Sequence, residues 1–285
     1  MCKKRIPEEA LKTICHQVNG DCGLFVSVPE TGETFTYNGD MVFHAASTIK
    51  VPVLALLFQD AEAGRVDLNK KIVVKPENRA VGSGILQSLS PDIELSLFDL
   101  AVLMIVMSDN TATNEVIDAV GMDRVRAFCA DNGLHNTWIW RKMFFKGFMP
   151  PAQVPEGAPA NATSANDLGR LLEAIASGSL ISETASRQIV QIMAGQRLNR
   201  MKTLLPFVDR VNPHAEKMEL PPEGKVVVAC KSGSLQRTGV AHDAGIFYLP
   251  DGRYYVMAMC TRSSSIQEGV GRISEASLVM YQAMK

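Results

Sequence analysis

The chain has 285 residues, 46% of them hydrophobic and 21% charged, with a mean hydropathy near zero. This composition excludes a fibrous or disordered polymer and fits one compact globular unit or two interwoven lobes. Its 29 basic and 30 acidic side chains nearly cancel, so no net field would draw it to nucleic acid or anionic lipid; a small-molecule ligand and a monomeric state are expected.

Residues 1–5 lead into a polar segment rather than an apolar leader, and the longest apolar stretch, residues 51–58, is too short to cross a bilayer. Neither a membrane span nor an export signal is expected. Cysteines at 2, 15, 22, 129, 230 and 260 form no C-x-x-C pair and no zinc-like spacing to histidine. They read as reduced, mostly buried thiols and point to the cytoplasm; export by a leader lying outside this sequence is the alternative.

In chain order, Pro7 and Glu8 open a helical pattern that places Leu11, Ile14, Cys15 and Val18 on one face. Residues 23–28 and 31–37 then alternate around Pro29-Glu30-Thr31-Gly32, the pattern of a hairpin. Helical patterns dominate the middle, over residues 47–62, 96–107, 113–120, 123–131, 166–176 and 183–193. Residues 142–165, with Pro150, Pro151, Pro155 and Pro159, predict a long irregular loop. Three strands follow, over 225–230, 244–249 and 254–261, and a helix over 264–284 closes the chain. The expected fold is α+β: an antiparallel sheet flanked by N- and C-terminal helices, with an inserted all-helical lobe. Residues 1–45 and 206–285 would form a discontinuous α/β lobe and residues 46–205 the helical lobe. The two make one structural domain with the active site between them.

Three short motifs carry the chemistry. Ser47-Thr48-Ile49-Lys50 opens an apolar helix and sets a hydroxyl and an amine one turn apart on one face. Amides at a helix start stabilise an oxyanion, and a desolvated lysine near another cation loses its proton and acts as a base. Ser108-Asp109-Asn110 falls between two helices: a second hydroxyl there can relay a proton to a leaving nitrogen, and an amide can hold both a lysine and a substrate carbonyl. Lys231-Ser232-Gly233-Ser234 ends a strand; its lysine can bind a carboxylate and depress the Lys50 amine, its glycine allows close approach, and the Ser234 amide can be a second oxyanion donor. No ligand cluster or phosphate-binding loop occurs, so no metal and no cofactor are expected.

In this order and these settings, the triplets resemble those of class A β-lactamases and penicillin-binding peptidases, over nearly the whole chain. The resemblance implies that Ser47 is acylated, Lys50 takes its proton and Ser108 passes a proton to the departing nitrogen. It further implies that Asn110 orients the substrate amide while Lys231, Ser232 and Ser234 hold its carboxylate and carbonyl. The implied activity is opening of β-lactam amides. A D-alanyl peptidase or esterase, or a penicillin-binding sensor with slow or no deacylation, is the alternative, and a serine-dependent glutaminase fits Ser108-Asp109-Asn110 less well.

Two departures bear on turnover. Class A β-lactamases carry a glutamate followed by leucine-asparagine in the loop, where it activates the deacylating water; here Glu156 is the only glutamate from 139 to 172, and no such pair follows it. Glu156 is the sole candidate for that role. After Lys231, where the family often has a carboxylate-binding arginine, Val240-Ala241-His242-Asp243 has none, leaving Arg237 on the connecting turn as a substitute. His242 reads as a structural histidine.

Overall fold

The computed structural model describes residues 5–144, 152–154, 156–198, 200–209, 212–215 and 217–285. Helix α1 (Glu8–His16) precedes strands β1 (Gly20–Val28), β2 (Glu33–Tyr37) and the short β3 (Phe43–His44). A 3-10 turn over Ala46–Ile49 runs into α2 (Lys50–Glu62), followed by the small ribbon β4 (Lys71–Val73) and β5 (Glu94–Ser96). Then come α3 (Leu97–Val106), α4 (Asn110–Val120), α5 (Met122–Asp131), β6 (Trp138–Ile139), β7 (Asn161–Thr163), α6 (Ala165–Ala176) and α7 (Glu183–Ala194). Strands β8 (Val227–Leu235), β9 (Val240–Tyr248) and β10 (Tyr254–Ser263) lead to the final helix α8 (Ile266–Met284).

Serine starts four of these helices. The hydroxyls of Ser96, Ser164, Ser182 and Ser265 each accept the amide three residues on, satisfying a donor that the first turn leaves free. At α3 the bond is reciprocal, because Asp99 also accepts from the Ser96 amide.

The main sheet is antiparallel, in the order β2-β1-β10-β9-β8, and therefore joins the two ends of the chain. Alternate residues of its strands enter two separate cores. Val256, Ala258 and Cys260 of β10 face the middle helices, whereas Tyr255, Met257 and Met259 face α1 and α8. Burial on both faces explains why these strands read as unbroken apolar runs. Helix α6 packs on β1, β9 and β10, crossing β1 where a Cβ on Gly169 would lie 2.0 Å from the Phe25 ring. The sheet is thus covered on one side by helices from the chain ends and on the other by helices from the middle, giving the α+β architecture expected.

Several elements differ from the sequence reading. The strand expected to stop at Cys230 continues to Leu235, because its ladder to β9 persists through Lys231↔Ala244, Ser232↔Asp243 and Gly233↔His242 after the apolar run has ended. The loop over 142–165 contains β7, which pairs with both β3 and β6. Ser47 lies in the 3-10 turn, not within the α-helix. All five described cysteines, Cys15, Cys22, Cys129, Cys230 and Cys260, are buried free thiols. Among the described residues no helix is long and apolar enough to cross a membrane.

Candidate active site

In a 3-10 turn residues i and i+3 eclipse one another, so Ser47 and Lys50 rise on one side of the turn. The turn is preceded by Ala46 in the left-handed region, φ 47°. Ser108, between α3 and α4, is likewise left-handed at φ 52°. Such backbone costs about 1–3 kcal/mol per residue and persists where the surroundings over-determine it. Around Ser108 they do. The carboxylate of Asp109 caps α4 by accepting from Ala112 and also accepts from the amides of Ile85 and Leu86, at 2.6 and 2.9 Å.

Lys50 is fully buried, and its Nζ meets three oxygens: Ser108 O at 2.7 Å, Asn110 Oδ1 at 2.9 Å and Ser108 Oγ at 3.1 Å. Lys231, also fully buried, donates to Ser108 Oγ at 3.0 Å and to Ser232 O at 2.7 Å. The Ser108 hydroxyl therefore bridges two amines. Burial first, and then the charge of Lys231, hold the Lys50 amine well below its ordinary value, against the pull of Asp109. Burial pushes Lys231 down to about 7, against the pull of buried Asp243. The site thus favours a neutral Lys50, which feels both burial and the Lys231 charge, with the remaining charge on Lys231, where Asp243 opposes the effect of burial. As a neutral amine, Lys50 gives its two N–H groups to the carbonyl oxygens of Ser108 and Asn110. Its lone pair is left for a hydroxyl.

Strand β8 is the sheet's edge and crosses the start of the Ser47 turn. A Cβ on Gly233 would sit 2.8 Å from the Ser47 amide nitrogen and 3.0 Å from that of Thr48. Only glycine permits this approach, which sets Ser234 beside Ser47 in a cleft of about 420 Å³. The Ser232 hydroxyl is buried with no hydrogen-bond partner among the described residues. Such a group is costly to leave unmatched.

The opposite wall is Arg141, Lys142, Met143 and Phe144. Asn114 clamps Met143, accepting from its amide at 2.8 Å and donating to its carbonyl at 3.2 Å. Asn161 Oδ1 accepts from the amides of Trp140 and Arg141. None of the described residues lining the cleft is acidic.

Of the residues singled out in the sequence, Ser47, Lys50, Ser108, Asn110, Lys231, Ser232, Gly233 and Ser234 come together. Glu156 and Arg237 do not. Glu156 lies in an exposed turn and Arg237 in the exposed turn after β8, both outside the cleft lining, because solvation of a charged side chain outweighs anything those loops offer it. Under β8 stands another arginine. Buried Arg200 donates from Nη1 to Gly233 O and, at 3.0 Å, to His242 O. Nothing in its local sequence marks it. His242 is buried: its Nδ1 accepts the Thr261 amide at 3.1 Å, leaving Nε2–H to donate to His44 O at 2.9 Å, and burial pushes it down to about 4. It is a structural histidine. His44 itself, which the motifs do not touch, lines the cleft.

A serine one turn before a buried amine, a second hydroxyl between two amines and a strand edge against a helix start are an arrangement suited to serine-type acyl transfer. The model of the Beta-lactamase enzyme family matches residues 6–284, and the chain belongs to that family. It superposes on a β-lactamase from Sphaerobacter thermophilus with a TM-score of 0.82 and 30% identity, covering 98% of each chain. It also superposes on PBP-A with a TM-score of 0.78 and 29% identity, covering 97% of this chain and 94% of the other. A point mutant of PBP-A has also been solved, as an acyl-enzyme complex with penicillin G. Among curated proteins, β-lactamase PSE-4 of Pseudomonas aeruginosa is 31% identical over 114 residues, 40% of this chain and 39% of that relative's length.

Proposed function

We propose that the protein is a serine hydrolase that opens β-lactam amides by forming an acyl-enzyme on Ser47. The observation that carries this reading is the convergence of Lys50 Nζ on Asn110 Oδ1 and Ser108 Oγ, and of Lys231 Nζ on the same hydroxyl, with Asn110 lining the cleft beside Ser47. Ser47 gives its proton to the neutral Lys50 amine as its Oγ attacks the lactam carbonyl. The developing oxyanion takes the amides of Ser47 and Ser234, and Asn110 orients the substrate amide. As the C–N bond breaks, Ser108 passes its proton to the departing nitrogen and is reprotonated from the lysine side. Lys231 holds the substrate carboxylate, and the unmatched Ser232 hydroxyl donates to it.

Deacylation needs a base for water, and from Trp140 to Pro159 the only acidic residue is Glu156, which is exposed. This favours a long-lived acyl-enzyme and keeps D-alanyl peptidase or esterase action on the same serine as the second reading. Buried free thiols support a reducing compartment, and a site completed within one chain supports a monomer.

The test is intact-mass spectrometry after mixing with benzylpenicillin. The expected result is a single adduct that is absent in Ser47→Ala and outlasts the free drug by minutes. Labelling of Ser47 by neither β-lactams nor D-alanyl esters would overturn the proposal.

A further inference from the structure

The cleft carries a histidine that acyl transfer as written above does not use. His44 lies three residues before Ser47, at the end of β3, and lines the same cavity. One hydrogen bond holds its ring and another holds its backbone. Its Nδ1 accepts the Ala46 amide at 3.0 Å, and its own carbonyl accepts from His242 Nε2 at 2.9 Å. An amide can donate only to a nitrogen without a proton, so this bond selects one form of the ring, neutral with its hydrogen on Nε2. Burial and the nearby Arg141 charge act in the same direction, holding the imidazole below its ordinary value.

Nε2 is the edge of the ring opposite the Ala46 bond, and no described residue accepts from it. A ring held by the Ala46 bond therefore lines the cleft together with Arg141, Asn161 and Ser234. The charged residues lining the cleft are Arg141 and Lys142, and none of the described lining residues is a carboxylate. Lys142 is already paired with Asp118 and donates to Asn78 Oδ1 at 2.9 Å, whereas the imidazole lines the cleft beside the Arg141 guanidinium, whose charge favours an anion there.

We propose that His44 is a specificity-determining residue, whose Nε2–H receives an anionic acceptor on the acyl side of the substrate. The preferred substrates then carry two carboxylates: one on the leaving side, held by Lys231, and one on the acyl side, held by His44. This inference rests on the proposed acylation of Ser47, and the binding arm of its test is independent of that chemistry.

The probes are benzylpenicillin and its α-carboxy derivative, which differ by one acyl-side carboxylate. In the non-reacting Ser47→Ala background, calorimetry should show tighter binding of the dicarboxylate. His44→Phe, which keeps a planar ring but removes the donor, should lower that preference about tenfold, the loss expected of one hydrogen bond to a charged group. His44→Gln, which retains a donor, should restore part of it. With Ser47 present, the acylation rates of the two drugs should show the same change in ratio. Equal loss on both probes would mean that His44 only props the Ala46 backbone, and an unchanged ratio would mean that it does not meet the acyl group; either result overturns the proposal. Preserved binding preference without acylation would instead count against the proposed function alone.

Discussion

The two walls of the cleft are made differently. On the Lys50 wall, buried side chains bind one another through charge and hydroxyl contacts, and each amine is matched to oxygens 2.7–3.1 Å away. On the loop wall, Asn114 and Asn161 bind backbone, and the side chains presented by Met143 and Phe144 are apolar. The first wall holds protons in defined places, whereas the described residues of the second bring cationic and apolar side chains but no carboxylate. On the proposed mechanism, making an acyl-enzyme and breaking it fall to separate parts, and one part can be complete while the other lacks its base.

The sharpest way to break this contrast is at the amine. Lys50→Met should lower the rate of Ser47 acylation by about 10³-fold, within the range general-base loss usually costs, as read from adduct formation over time. A rate close to wild type would assign the base elsewhere. On the other wall the change should be a gain. Met143 lines the cleft, and both of its backbone polar groups are clamped by Asn114, so Met143→Glu places a carboxylate on a fixed stem. The acyl-enzyme lifetime should fall about a hundredfold, as the return of the wild-type mass would record.

The buried amines also set a pH dependence of stability. Lys231 titrates near 7 when folded and 10.5 when free, so above pH 7 the unfolded chain holds more protons and stability rises with pH. The slope is at most about 1.4 kcal/mol per unit. Burial raises the thiols of Cys129, Cys230 and Cys260, which reverses the trend once unfolded thiols ionise. Between pH 7 and about 8.5, urea unfolding should show a gain of about 2 kcal/mol from Lys231, absent in Lys231→Met. The smallest effect should come from Glu156→Gln, which lies outside the cleft: turnover should change less than about twofold. A large loss in a deacylation assay would bring that turn into the chemistry.

Much of the fold is legible along the chain because its signals are local. Helical periodicity and apolar strand runs place most elements within a few residues. The exceptions are instructive. At Cys230 the apolar signal ends while the ladder to β9 continues, since hydrogen bonds between strands do not depend on side-chain polarity. Asn161–Thr163 is a strand only because β3 and β6 lie on either side of it.

The site divides along the same line. Ser47, Lys50, Ser108, Asn110 and Lys231 are readable as motifs because each chemical role demands a particular residue at short spacing from another. Arg200, Asp243 and His44 have no such spacing. Their roles come from what lies beside them after folding: a strand carbonyl, a buried amine and the Ala46 amide. Sequence alone determined which groups could react. The tertiary structure decided their protonation, because burial and neighbouring charge exist only once distant segments have packed together.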